Sequence, residues 1–194
     1  IVGIDNASSH GKFSRMDEYS PWPRNTSFPL PGWDPDVDYS GGKGALYVDF
    51  IVNTLKNYID SNFRTLPDRN NTAIAGSSMG AYISLFAAIL RLDVFSKVGV
   101  FSPALWFNDS AMLNFIQENN IFADLTVYLD VGTLETSGMR EDFPEVYISG
   151  AEKLCVSLRK QRNVTIDYHL WGGDTHSESA WAKRFPEMLK LFYC

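Results

Sequence analysis

Ser78 lies at the centre of Gly76-Ser77-Ser78-Met79-Gly80, a G-x-S-x-G arrangement between a short apolar run ending at Ala75 and a long apolar stretch that starts at Met79. A serine held at a strand-to-helix turn stands exposed above a sheet as a nucleophile, and glycines two before and two after it let strand and helix approach closely. The helix start faces the oxygen that becomes negative during acyl transfer, so the Met79 N–H is the expected oxyanion donor. Ser77 reads as a small residue that fills the turn.

A serine hydroxyl attacks at neutral pH only with a base in reach. Of three histidines, His10 falls in an early polar loop and His169 inside a strand pattern, both ordinary settings. His176, in "WGGDTHSES", follows the last strand pattern in a glycine-rich turn, where loops at the carboxyl ends of strands carry catalytic groups. The third member is a carboxylate that fixes the imidazole tautomer, in the chain order serine, acid, histidine. "YLDVGTLETSG" offers two: Glu135, past the end of its strand and so at the same sheet edge, is preferred, with Asp130, still inside the strand, as the alternative.

The elements that must hold these groups follow from periodicity. Val2 to Asp5, Thr72 to Ala75, "KVGVFSP", "LTVYLDVG" and "VTIDYHLW" read as five strands. Leu46, Phe50, Ile51, Leu55, Tyr58, Ile59 and Phe63 recur at helical spacing and predict an amphipathic helix from Ala45 that ends before Pro67. Met79 to Leu92 is apolar nearly all round and predicts a helix buried between layers. Further helices are expected over Ala111 to Asn119, Pro144 to Gln161 and Glu178 to Tyr193. This alternation predicts an α/β domain with a mostly parallel sheet covered on both faces.

Length and composition set the outer limits. A chain of 194 residues with 45% apolar and 21% charged residues fits one globular domain, residues 1–194. A net charge of −6 without a cluster of Lys and Arg argues against a nucleic-acid partner, and the apolar runs are too short for a membrane span. Cys155 and Cys194 are expected as free thiols. "SGGKG" at Ser40 to Gly44 lacks the spacing of a phosphate-binding loop, and Asp34, Asp36 and Asp38 copy only the start of a calcium loop, with Tyr39 where glycine is required. No metal or organic cofactor is expected.

These residues together resemble the esterase family of α/β-hydrolases that includes S-formylglutathione hydrolase (esterase D), the enterochelin and bacillibactin trilactone esterases, and feruloyl esterases. "IVGIDN", "RMDEYSPW", "TAIAGSSMGAYISLFAAILRLDVFSKVGVFSPALWF", "VGTLE" and "GGDTHSESAWAKRFPEML" carry the resemblance in order, and the match looks closest to the bacterial siderophore-esterase-like branch. The resemblance implies Ser78 as nucleophile, His176 as base and Glu135 as the acid. It also implies that Arg15, Glu18 and Tyr19 lie at the mouth of the site and that Trp106 lines it, against plain readings of Arg15 as a carboxylate's partner and Trp106 as core.

In that family the sheet begins with strands that precede the one "IVGID" resembles, so the N-terminal strands are expected to be missing from this chain. Met79 would then be the only backbone oxyanion donor, since the second comes from a loop among those strands, and losing one donor costs on the order of 10²–10³ in rate. The expected activity is hydrolysis of a small-molecule carboxylic ester through an acyl-enzyme, in a cytoplasmic setting. Acyl transfer to an alcohol on the same scaffold and a non-catalytic binding domain are the competing expectations.

Overall fold

Four runs rich in apolar and β-branched residues form four parallel strands, β1 (Ala73–Ser77), β2 (Lys97–Phe101), β3 (Leu125–Leu134) and β4 (Val164–Thr175), hydrogen-bonded in the order β1-β2-β3-β4. The computed structural model describes residues 1–6, 14–25, 27–28, 40–136 and 140–194. His10, Asp34, Asp36, Asp38 and Tyr39 lie outside the described residues.

Helices connect and cover the strands: α1 (Ser14–Tyr19), α2 (Gly44–Asp49), α3 (Lys56–Asn62), α4 (Met79–Leu90), α5 (Asp109–Glu118), α6 (Phe143–Leu158) and α7 (Glu178–Tyr193). Strand and helix alternate because parallel neighbours need a crossover long enough to return to the same end of the sheet. On one face α4 and α6 pack on the sheet through Val98, Val100, Val127, Leu129 and Val131, forming the main core. On the other, Met188 and Phe192 of α7 pack against Phe101 and Tyr128. The expected mostly parallel sheet with helices on both faces is present, and α4 has ten buried residues, as its all-round apolar sequence requires.

Two expectations are corrected. Residues 1–6 form no strand: Ile1 and Val2 are exposed, and an apolar run without a hydrogen-bonded neighbour has no ladder to join. The helix from Ala45 is present, but its buried side is Val48, Ile51 and Val52, while Leu46, Phe50, Tyr58 and Phe63 face solvent. Its centre, Phe50–Leu55, is a π-helical stretch. Val48, Ile51 and Val52 keep α-helical spacing with Leu46 and Phe50 off that face, and the π turn, which adds a residue per turn, shifts the phase of the residues after it, Tyr58 and Phe63.

The register between β3 and β4 decides which residues leave the sheet together. Gly132 pairs with Trp171, yet Leu134 pairs with Thr175, so β4 takes four steps where β3 takes two. The extra residues bulge at Gly172-Gly173-Asp174, where Gly173 adopts φ +82°, open to glycine and costly for other residues. Because Leu134 and Thr175 are partners, their successors Glu135 and His176 emerge from the sheet side by side.

Candidate active site

Ser78 caps α4 between β1 and the helix, with φ +57° and ψ −122°, a conformation that non-glycine residues seldom adopt. Its backbone is held on both sides: the N–H donates to Phe101 O at 2.9 Å, and the carbonyl accepts from Ala81, Tyr82 and Ala104 N–H. Of the two flanking glycines, Gly76 has a direct steric cause. A Cβ on Gly76 would overlap the backbone carbonyl of Gly80, which cannot move without shifting the first turn of α4. Gly76→Ala is therefore expected to lower unfolding free energy by about 1–3 kcal/mol, the usual cost of forcing extra volume into packed structure, as measured by urea denaturation.

At the ends of β3 and β4, His176 Nδ1 meets Glu135 Oε2 at 2.6 Å. Glu135 is fully buried, and its other oxygen, Oε1, accepts from Gly132 N–H at 2.7 Å and from the Ser102 hydroxyl at 2.5 Å. Burial alone would push this carboxyl up; the bonds from His176, Ser102 and Gly132 outweigh it and hold Glu135 below its usual range, ionised at neutral pH. The imidazole lies between the rings of Trp181, 4.8 Å away and nearly perpendicular, and Tyr147, 4.6 Å away. Its second nitrogen, Nε2, faces the Tyr147 hydroxyl at 3.4 Å.

Beneath this pair lies a buried polar layer that the sequence did not disclose. Ser102 follows β2 at φ +44°, and its hydroxyl oxygen accepts from Trp181 Nε1 at 2.9 Å and Arg184 Nη2 at 3.0 Å. With both donors on its oxygen, the hydroxyl turns its own proton to Glu135. Arg184, only 1% exposed, stands 3.3 Å from Asp130 Oδ2 and 3.9 Å from Glu135 Oε1.

Asp130, the competing acid, pairs with Arg184 and accepts from the Tyr128 hydroxyl at 3.0 Å. Burial raises its pKa to about 6 against the opposing pull of Arg184 and Tyr128. A carboxyl with a raised folded pKa supports the fold fully below its unfolded value, and that support is lost as pH rises through the folded one. Asp130→Asn is thus expected to flatten the stability change between pH 3.8 and about 6 in denaturant titrations at stepped pH. Glu135, with its pKa lowered, acts with the opposite sign and loses its contribution only under more acidic conditions.

The remaining expected residues gather nearby. Tyr19 reaches within 3.9 Å of a Cβ position on Gly80 and packs against Tyr47, with Arg15 stacked over its ring at 5.3 Å. Trp106 is 8% exposed and packs with Phe28, Phe107 and Phe143, so it belongs to the core; its Nε1 makes no hydrogen bond of full geometry and lies close to Tyr147. His169 lies in β4 beside Asp167, at the sheet level of Ser77 through Phe101 and Asp130 but three strands away from it. Tyr147, Ser102, Trp181 and Arg184 were missed. Only Tyr147 left a trace, as a polar-tipped residue on the buried side of a helix, and that pattern usually means packing.

This architecture is of the α/β-hydrolase type. A family model described as "Putative esterase" matches residues 9–192, and the chain belongs to that esterase family. It is 25% identical over 206 residues to YbbA of Bacillus subtilis (strain 168), an alignment covering 100% of this chain and 72% of YbbA. Among solved structures, the BES protein from Bacillus cereus aligns with a TM-score of 0.73 and 20% identity, over 98% of this chain and 67% of that one. An enterobactin esterase, FES from Shigella flexneri, aligns with a TM-score of 0.66 and 15% identity, over 95% of this chain and 42% of its own. Among the described residues, no helix is long and apolar enough to cross a membrane.

Proposed function

We propose that this chain is a serine esterase that cleaves a carboxylic ester through an acyl-enzyme. Ser78 attacks the carbonyl, His176 takes its proton and returns it to the departing alcohol, Glu135 holds His176 in the tautomer with a free Nε2, and the Met79 N–H takes the oxyanion. The observation that carries this reading is the Glu135–His176 bond of 2.6 Å at the same carboxyl edge of the sheet as the strained Ser78 turn. Catalytic contacts in a free enzyme are often loose and tighten when substrate binds, so the base and nucleophile need not yet be bonded.

The similarity to an enterobactin esterase supports a siderophore-type ester as substrate, with Arg15 and Tyr19 at the mouth of the site. A panel of short acyl esters, S-formylglutathione, a feruloyl ester and a siderophore trilactone ranks these classes by kcat/KM. Labelling with a fluorophosphonate tests the chemistry itself: the protein is expected to be labelled and Ser78→Ala is not. An unlabelled protein, or equal labelling of Ser78→Ala, would overturn the reading.

A further inference from the structure

We propose that Tyr147 is a further catalytic residue of this site, donating a hydrogen bond from its hydroxyl to the oxygen of the departing alcohol as the ester bond breaks. The proposal rests on the serine-esterase reading above. Tyr147 sits on the buried side of α6, 1% exposed, with its hydroxyl 3.4 Å from His176 Nε2 and its ring 4.6 Å from the imidazole. Ser78 and Trp106 both act on the same hydroxyl.

Position decides the role. Ser78 Oγ bonds to the carbonyl carbon while Nε2 takes the serine proton, giving a tetrahedral intermediate. On collapse the carbon–oxygen bond to the alcohol breaks, the electron pair stays on that oxygen, and Nε2–H supplies its proton. The products are the acyl-enzyme, a neutral imidazole and the free alcohol. The departing oxygen must therefore lie within hydrogen-bond reach of Nε2 and beside Ser78, the region that the Tyr147 hydroxyl borders. The carbonyl oxygen lies elsewhere, toward the Met79 N–H at the start of α4.

The phenol is suited to donate and unsuited to act as a base. Burial pushes its pKa up, to about 12, although Ser78 and Trp106 pull against the shift, so Tyr147 keeps its proton throughout the cycle. Trp106 adds a second observation: its Nε1–H is buried, makes no hydrogen bond of full geometry, and lies close enough to the phenol to pull against its upward shift. When the phenol turns its proton to the substrate, that N–H is available to its oxygen, and such chains polarise one another.

The test is a series of esters with one acyl group and alcohols that range from nitrophenol to simple alkanols. A donor to a developing alkoxide matters most where the alkoxide is most basic. Tyr147→Phe is expected to lose roughly 10- to 100-fold in kcat/KM on alkyl esters, the worth of a hydrogen bond to a charged group, and little on nitrophenyl esters. Trp106→Phe should steepen the same dependence on alcohol pKa to a smaller degree. An unchanged dependence in both variants overturns the proposal, as does an unchanged dependence in Trp106→Phe alone where Tyr147→Phe does not fold. Fluorophosphonate labelling separates the two failures: an unlabelled wild type sinks the esterase reading, whereas a labelled wild type with unchanged dependence sinks only the role of Tyr147.

Discussion

Glu135→Gln is expected to lower kcat by about 10⁴-fold, the loss produced when a triad carboxylate becomes an amide, while KM moves little. The local hydrogen bonds explain why an isosteric change should be so damaging. Oε1 is fixed as an acceptor by the Gly132 N–H and by a Ser102 hydroxyl whose oxygen is already committed to Trp181 and Arg184. The glutamine oxygen must take that place, which leaves its NH₂ facing His176 Nδ1, now 2.6 Å from a carboxylate oxygen. Nδ1 then becomes the acceptor, the imidazole proton moves to Nε2, and the nitrogen that should receive the Ser78 proton is occupied. Asp130→Asn provides the contrast, because Asp130 bonds to Tyr128 and Arg184 instead of the imidazole; it should shift stability and leave kcat within about threefold of wild type. A similar loss in both variants would show that the acid is not defined by the Glu135 contact. The assay is steady-state hydrolysis of an activated ester on protein checked for folding by circular dichroism.

Much of this arrangement is written locally. The glycine pair around Ser78, the apolar α4 and the alternation of strands and helices are short-range patterns, so the sheet and its turn could be read from the chain. Glu135 and His176 could be proposed because each follows a strand pattern, but their meeting depends on the β4 bulge. No periodicity announces that four residues of β4 will span two of β3. The roles of Arg184 and Ser102 are tertiary: in "WAKRFPEML" an arginine next to a lysine reads as a solvated cation, and in "FSPALW" the serine reads as a turn residue. The helix around Phe50 differs for another reason: Leu46 and Phe50 are apolar yet lie off the Val48, Ile51 and Val52 face, and the π turn breaks the period of the residues that follow.

Arg184→Met is expected to destabilise the protein by about 3–5 kcal/mol at neutral pH, the cost of removing one partner from a buried ion pair. Against a total stability of about 5–15 kcal/mol this is a large share. The reason is the neighbourhood: Asp130 and Glu135 are both fully buried, and Arg184 is the cation that both carboxylates share, at 3.3 and 3.9 Å. Asp174, 3.8 Å from Arg184 and partly exposed, can turn to water, whereas Asp130 cannot. Without the cation, Asp130 rises further above its present value of about 6 and takes up a proton to avoid standing charged. The deficit of Arg184→Met should therefore shrink on acidification. Replacing Asp130 as well should recover part of the loss: in a double-mutant cycle, Arg184→Met with Asp130→Asn is expected to cost less than the sum of the two single changes, because the second removes the charge that the first strands. Urea unfolding of the four proteins at neutral and mildly acidic pH measures both effects. Strict additivity with a pH-independent deficit would mean that Arg184 contributes by filling volume under Trp181 and Ser102. A coupled, acid-relieved deficit would make it the charge that lets a buried Asp130 and an ionised Glu135 exist in the same layer.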